Sequence, residues 1–285
     1  MPAGNSRRIE PASITQARCP NNEHYVNLGF KMHEFIYGHR GARAHLPENT
    51  IQAFDAAIKG GANAIETDVH LTSDGEVVVF HDATGERIAG TNQSIASVTW
   101  NEAQHWDVGY QHVAQDGSRP FKGSDYRMPL LKNVLKTYPG IRINIDIKPG
   151  HKAVKAVVDV VEQFGDSANV LLTSFDDKVR TKLQEANYRG PIGLGYRECI
   201  LALLMPRQAI RNRWPSGTRL QVPPAFGPFK LGTTRFIRKA HAVGLKVDFW
   251  TINDASQAQI LVHQGADGIM SDDPALISKA LTQGS

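Results

Sequence analysis

Cysteine is nearly absent from this chain, which has two among 285 residues, Cys19 and Cys199. Thiols so far apart offer neither a zinc-ligand spacing nor a disulfide framework, and a reduced compartment is the simplest expectation. Long apolar runs are missing as well. The longest, residues 200–205, is six residues, far short of the roughly 20 that span a bilayer. Residues 1–33 contain no continuous apolar stretch of the kind a secretory signal carries. A cytoplasmic protein without a transmembrane segment is expected, with a processed secreted form as the alternative. Nor is there much charge of one sign: 32 Lys and Arg oppose 28 Asp and Glu, a net +4. That excess favours small anionic ligands and excludes the strongly basic profile of a nucleic-acid-binding protein. Internal repeats and low-complexity tracts are also absent.

What is there is an ordinary globular composition, 41% hydrophobic and 21% charged. Residues 1–33 read as a polar leader, flexible or peripheral, before a single domain over 34–285. In that domain short apolar strands, at 35–38, 63–69, 142–147, 169–173, 192–195, 219–222, 246–251 and 268–271, alternate with helical stretches. Such repetition argues a parallel sheet with crossover helices. A further strand, 76–80, follows the second after the tight Ser73-Asp74-Gly75 turn. Parallel partners need a crossover of a dozen or more residues, so this strand must return antiparallel, as a hairpin. The eight remaining βα units fit a closed TIM (β/α)₈ barrel; an open doubly wound sheet is the alternative.

The first helix has Asn49 as its expected N-cap, with Gln52 completing a capping box. Ala53, Phe54, Ala57 and Ile58 make its buried face, and Gly60-Gly61 ends it. Residues 83–128, polar with Trp100, Trp106, Tyr110 and Phe121 scattered among them, read as an insertion after the hairpin, lying over the barrel top. The stretch 200–213 combines Leu201, Leu203, Leu204 and Met205 with Arg207, Arg211 and Arg213. It reads as a barrel helix with a basic outer face in preference to a lipid-headgroup contact.

The chemistry gathers at strand ends. Glu66 and Asp68 are two apart on one strand and so face one side; Asp146 and Lys148 repeat the spacing in Asn144-Ile145-Asp146-Ile147-Lys148. Charged groups at C-terminal strand ends point into a barrel's mouth. A single pair of such carboxylates is expected simply to face solvent. Three acids from two strand ends suit a hard cation such as Mg²⁺ or Ca²⁺. His39 and His81 come from two further strand ends, where imidazoles can serve as general acid and base. Arg40 and Lys148 can clamp a phosphate, or pair with Glu48, Glu66 or Asp68. Phe175 and Trp250 can wall a substrate or simply pack. His105, His112 and His241 fall in no pattern and are expected at the surface.

Gly38-His39-Arg40-Gly41, Pro47-Glu48-Asn49-Thr50, Glu66-Thr67-Asp68-Val69, Phe80-His81-Asp82, Ile145-Asp146-Ile147-Lys148 and Trp250-Thr251-Ile252-Asn253 together resemble the glycerophosphodiester phosphodiesterase family of the phospholipase C-like phosphodiesterase superfamily. The likeness runs from about residue 36 to 275. It implies a TIM barrel, a divalent cation (Ca²⁺ or Mg²⁺, with Mn²⁺ possible) and hydrolysis of a glycerophosphodiester to glycerol 3-phosphate and an alcohol, a step in glycerol and lipid metabolism. By position, His39 and His81 match the catalytic pair, Glu66, Asp68 and Asp146 the metal ligands, Arg40 and Lys148 the phosphate contacts, and Trp250 a substrate-lining aromatic. One residue departs from the pattern: Asp146 stands where the family usually has Glu. A lysophospholipase D acting on lysophospholipids is the alternative, with 200–213 and 83–128 expected to supply its acyl-chain groove. A non-catalytic phosphodiester-binding protein is the second alternative, opposed by the retention of both histidines.

Overall fold

A computed structural model describes residues 35–114, 116–148 and 150–283; the leader 1–33 and Cys19 lie outside these. In chain order the elements are β1 (Phe35–His39), α1 (Ile51–Lys59), β2 (Ala64–Leu71), β3 (Val77–Val79), α2 (Glu86–Ala89), α3 (Trp100–Ala103), α4 (Leu131–Thr137) and β4 (Arg142–Ile147). There follow α5 (Val154–Phe164), β5 (Val170–Thr173), α6 (Lys178–Glu185), α7 (Tyr196–Leu204), α8 (Arg207–Ile210) and β6 (Arg219–Val222). The last are β7 (Ala225–Phe226), β8 (Phe229–Lys230), α9 (Thr234–His241), β9 (Lys246–Phe249), α10 (Ala255–His263), β10 (Gly268–Ser271) and α11 (Pro274–Gln283).

Seven parallel strands run in the order β5-β4-β2-β1-β10-β9-β6, and β3 pairs antiparallel with β2 as the short turn requires. The eighth place is nearly bare. Where a strand is expected over 192–195, two single parallel bridges, Leu172 with Ile192 and Gly193 with Arg219, join β5 to β6. The Gly193 and Leu194 amides donate to Leu172 and Arg219, each at 2.9 Å. Pro191 opens this stretch with no N–H to add to the ladder, and Gly193 lets the chain lie close against β5, where a Cβ would come within 2.4 Å of Thr173 Oγ1. The bridges still close the sheet into a (β/α)₈ barrel.

Strand alternation sorts the side chains. On β2, Ile65 and Val69 pack outward with Phe54, Ile143, Ile145, Val157 and Val161 in the layer between strands and helices, while Glu66 and Asp68 face the barrel mouth. A second layer of this kind, around Phe249, Ile269, Ile277 and Leu220, closes the other half. Deeper in the barrel, Arg219 is buried and paired with Asp248, and the Arg142 and Arg219 guanidinium groups lie 4.9 and 5.2 Å from the Phe35 ring centre.

Several local expectations need correction. Thr50, not Asn49, caps α1: its hydroxyl accepts from the Ala53 amide and donates to Pro47 O. Asn49 turns the chain with φ 58° and sends its side chain elsewhere. Ala53, Phe54 and Ala57 are buried as expected, but Ile58 is only half-buried. Residues 83–128 contain more apolar order than their composition suggested. Ile88, Ile95, Val98, Ala103, Trp106 and Val108 form a cluster with Val78 and Phe80, with Trp106 edge-on to Phe80 at 5.9 Å. None of these residues lines the barrel's cavity. His241 is exposed as expected, and its Nε2 lies 2.6 Å from Asp267 Oδ2.

Candidate active site

A cavity of about 290 Å³ opens at the C-terminal ends of the strands, the usual place for a barrel's site. Its lining includes His39, Arg40, Glu66, Asp68, His81, Asp146, Lys148, Phe175 and Trp250. All nine residues singled out from the sequence are therefore brought together. Parallel register explains much of this: His39 pairs with Glu66, Glu66 with Asn144, and Asp68 with Asp146.

The turn after β1 is shaped by left-handed backbone at Arg40 (φ 56°) and Gly41 (φ 84°). A Cβ on Gly41 would lie 2.6 Å from the Ala53 backbone, so glycine lets the turn sit on α1. For Arg40 that backbone is uncommon, and such outliers collect at functional sites. It brings the Arg40 amide 3.1 Å from Glu66 Oε2. The 47–50 motif then resolves residue by residue. Pro47 O accepts from Thr50, Thr50 caps α1, and Glu48 receives Arg40 and Arg87. Asn49 Nδ2 donates to Asp68 Oδ2 at 3.0 Å while its Oδ1 accepts from Thr67 at 2.7 Å.

Each histidine is oriented by an aspartate that sequence reasoning did not single out. His39 Nδ1 lies 2.6 Å from Asp272 Oδ1, and the other Asp272 oxygen accepts from Asn253 Nδ2 at 2.9 Å. His81 Nδ1 lies 2.5 Å from Asp82 Oδ1, and Arg87 holds Asp82. His70 Nε2 lies 3.0 Å from the His81 carbonyl and braces that loop from beneath. Asp82 directly follows His81 and could have been found in the sequence. Asp272 is 233 residues from His39, and only the pairing of β10 with β1 brings them together.

The carboxylates are unequal. Burial, reinforced by Asp68, pushes Glu66 up to about 7. Burial also raises Asp146, partly offset by Lys148. Asp68 is pushed up by burial too, but Lys148 and Arg40 outweigh it and hold it below the ordinary carboxylate range. Burial works the same way on Glu48, yet Arg87 and Arg40 bring it to about 2. His81 is lowered by burial, against the pull of Asp68, so it is neutral at pH 7. Lys148 Nζ stands 2.7 Å from Asp146 and 3.0 Å from Asp68. With that ammonium in the gap, no three His, Cys, Asp or Glu groups among the described residues form a ready metal cluster. Arg40 Nε lies 3.2 Å from Asp68 Oδ2 but is not aligned to donate to it, which leaves an N–H of the fork without a hydrogen bond.

The rest of the cavity wall is apolar. Trp250 meets the exposed Phe175 edge-on at 6.1 Å. Helix α7 turns Tyr196, Cys199, Ile200 and Leu203 to the cavity, a spacing that makes one helix face. Phe226, Leu231 and Phe236 continue the wall. Of the two stretches expected to supply a groove, 200–213 contributes Ile200 and Leu203 through α7, 83–128 contributes no lining residue, and the β7–β8 hairpin and the start of α9 supply the rest of the apolar wall.

The glycerophosphoryl diester phosphodiesterase family model matches residues 39–276. The chain belongs to this family. Among similar proteins is the Homo sapiens lysophospholipase D GDPD1, 29% identical over 263 residues, covering 83% of this chain and 82% of the relative. A glycerophosphodiester phosphodiesterase of Caldanaerobacter subterraneus is 27% identical over 264 residues, covering 89% of this chain and all of the relative. The fold matches that of an Oleispira antarctica phosphodiesterase solved with the product sn-glycerol-3-phosphate. The TM-score is 0.68 at 24% identity, over 86% of this chain and 96% of that one. The phosphodiesterase is thus an enzyme of the phosphoric diester hydrolase class, and no described helix is long and apolar enough to cross a membrane.

Arg40→Lys in this phosphodiesterase keeps the charge and removes the bidentate fork. We expect kcat/KM to fall roughly 10–100-fold, the scale for weakening one electrostatic contact to a transition state. Steady-state kinetics beside a melting curve is the check. A lowered Tm with unchanged kcat/KM would make Arg40 only the partner of Glu48 and Asp68.

Proposed function

We propose that the enzyme hydrolyses glycerophosphodiesters to glycerol 3-phosphate and an alcohol, using His39 and His81 as its proton carriers and a divalent cation held by Glu66, Asp68 and Asp146. The observation that carries this is the convergence of two Asp-oriented imidazoles with Arg40 and Lys148 on one cavity. The side-chain chemistry fits a hard cation such as Ca²⁺, Mg²⁺ or Mn²⁺. Its donors are all oxygen, burial disfavours the charge on Glu66 and Asp146, and Asn144 Oδ1 beside them is buried without a donor. When bound, such an ion stabilises negative charge on the phosphoryl oxygens.

The chain's own groups do the rest. His81 is neutral, with Nδ1 committed to Asp82, so its other nitrogen can take the proton of the attacking hydroxyl. That hydroxyl belongs either to water, giving glycerol 3-phosphate directly, or to the substrate's own glycerol, giving a cyclic phosphate that water then opens to glycerol 3-phosphate. His39, fixed by Asp272, delivers a proton to the departing oxygen. Lys148, beside Asp68 and Asp146 on the cavity wall, would place its ammonium against a phosphoryl oxygen. Arg40 lines the same cavity and adds its guanidinium charge there.

The apolar wall favours a second substrate class for the same site, a monoacylated glycerophosphodiester with its chain along Ile200, Leu203 and Phe226. A relative named lysophospholipase D agrees with that reading. The test compares kcat/KM for glycerophosphocholine and lysophosphatidylcholine, with chelator and with each ion, in wild type and Leu203→Glu. Turnover of both substrates, with Leu203→Glu losing only the second, supports the pair of readings. Turnover of neither, under any ion, overturns them.

A further inference from the structure

We propose that the rim formed by α7 and the β7–β8 hairpin is a docking surface for an anionic phospholipid bilayer. Nine large hydrophobic side chains stand exposed among the described residues, and six of them crowd this side of the cavity: Phe175, Tyr196, Leu204, Met205, Phe226 and Phe229. Their proximity is physical as well as sequential. Phe226 and Phe229 are paired across the hairpin, the Tyr196 and Phe226 rings meet edge-on at 6.4 Å, and Leu204 adjoins the cavity-lining Leu203. The hairpin pairs with no other sheet, so these phenylalanines contribute little to the core. Clustered apolar exposure of this kind marks an interaction surface.

Charge selects the partner. The net charge of +4 looks evenly spread but is not. Residues 196–239 contain nine Lys and Arg against one acid, Glu198, so the rest of the chain is net negative. Glu198 is already engaged by Arg180 and Trp214, and Arg219 is buried against Asp248. Arg207, Lys230 and Arg235 are exposed and have no carboxylate partner among the described residues. Lys230 directly follows Phe229 and Arg207 stands two residues after Met205, and exposed apolar side chains joined to cations in this way suit an anionic membrane surface, the apolar groups entering the headgroup boundary and the cations meeting lipid phosphates. Tyr196 and Phe226 also line the cavity, so docking turns its mouth toward the lipid. The proposal does not depend on which phosphodiester is cleaved.

Co-sedimentation of the full chain with vesicles of phosphatidylcholine, alone or mixed with phosphatidylserine, tests it. We expect binding to the mixed vesicles and roughly tenfold or more weaker binding to neutral ones. Arg207→Glu with Lys230→Glu should lose the preference for phosphatidylserine. Leu204→Ser with Phe229→Ser should weaken binding by a similar factor. None of these four side chains lines the cavity, so both variants should turn over a soluble phosphodiester like wild type. Wild type remaining in the supernatant with mixed vesicles would overturn the proposal, as would both variants sedimenting like wild type. Sedimentation velocity supplies the other arm: a dimer dissolved by Leu204→Ser with Phe229→Ser would assign the face to a second copy and overturn the bilayer.

Discussion

His81→Ala is expected to lower kcat by roughly 10²–10⁴-fold while leaving the protein folded, and His39→Ala to do the same. Both residues sit at the cavity and not in the packed layers, so neither truncation opens an apolar void. The two differ in their pH signature. Burial lowers His81 below the ordinary histidine value, so it stays neutral, and able to accept a proton, to a lower pH than a free imidazole. The acidic limb of kcat/KM should therefore lie below that of an unperturbed histidine, and it should vanish in His81→Ala. Asp82→Asn and Asp272→Asn, which loosen the two rings without removing them, should cost less than the histidine truncations. Pre-steady-state and steady-state kinetics over a pH series are the measurement. Near-normal turnover by either alanine variant removes that histidine from the reaction.

The second large effect is expected from the cation. Chelation should abolish activity, and Mg²⁺, Mn²⁺ or Ca²⁺ should restore it. Thermal melting reads the same site without turnover. A ligand about 100-fold above its Kd stabilises by about 2.7 kcal/mol, roughly 4–5 °C for a chain of this size. The sign of the pH dependence follows from Glu66. Its folded pKa, about 7, lies above the unfolded carboxylate value, so the folded protein retains a proton that the unfolded chain releases. Without an ion, that contribution is fully present at low pH and is lost as pH rises from the ordinary carboxylate range through about 7. Asp146 is raised in the same direction. An ion competes with those protons, so the metal-dependent rise in Tm should be larger at pH 8 than at pH 5. Glu66→Gln should shrink the rise and flatten its pH dependence. Asp146→Glu lengthens one arm and should reorder the three ions without ending activity, because Mg²⁺ demands a tighter shell than Ca²⁺. Full activity of metal-free enzyme would sink the cation; an unchanged ion ranking would show that Asp146 does not tune the site.

Much of this site was legible in the chain before any coordinates. Glu66 and Asp68 share a face because strand side chains alternate, and alternation is local. The antiparallel return of β3 was equally forced, since Ser73-Asp74-Gly75 is too short for a crossover. Other features are decided by competition between neighbours. Asn49 and Thr50 are both good helix caps. The choice of Thr50 depends on Asp68 and Thr67 drawing the Asn49 side chain away, and that pull comes from a strand nineteen residues on. The eighth strand reads as a full strand in sequence, yet it is reduced to two bridges beside Pro191, which has no N–H to add to the ladder.

By itself the sequence determined the alternating strands and helices, the strand-end placement of the histidines and carboxylates, and the residue types of a phosphodiester site. These depend on periodicity and on chain connectivity, which act over a few residues. Only the tertiary structure decided that Asp272 orients His39, because that contact exists only once the last strand lies against the first. It also decided that Lys148 and Arg40 outweigh burial at Asp68 while burial prevails at Asp146, since like and unlike charges can be weighed only at known distances. Helix α7 follows the same logic. Its apolar face is plain in the sequence, but whether such a face meets the core or lines a cavity depends on what the closed barrel leaves open beside it.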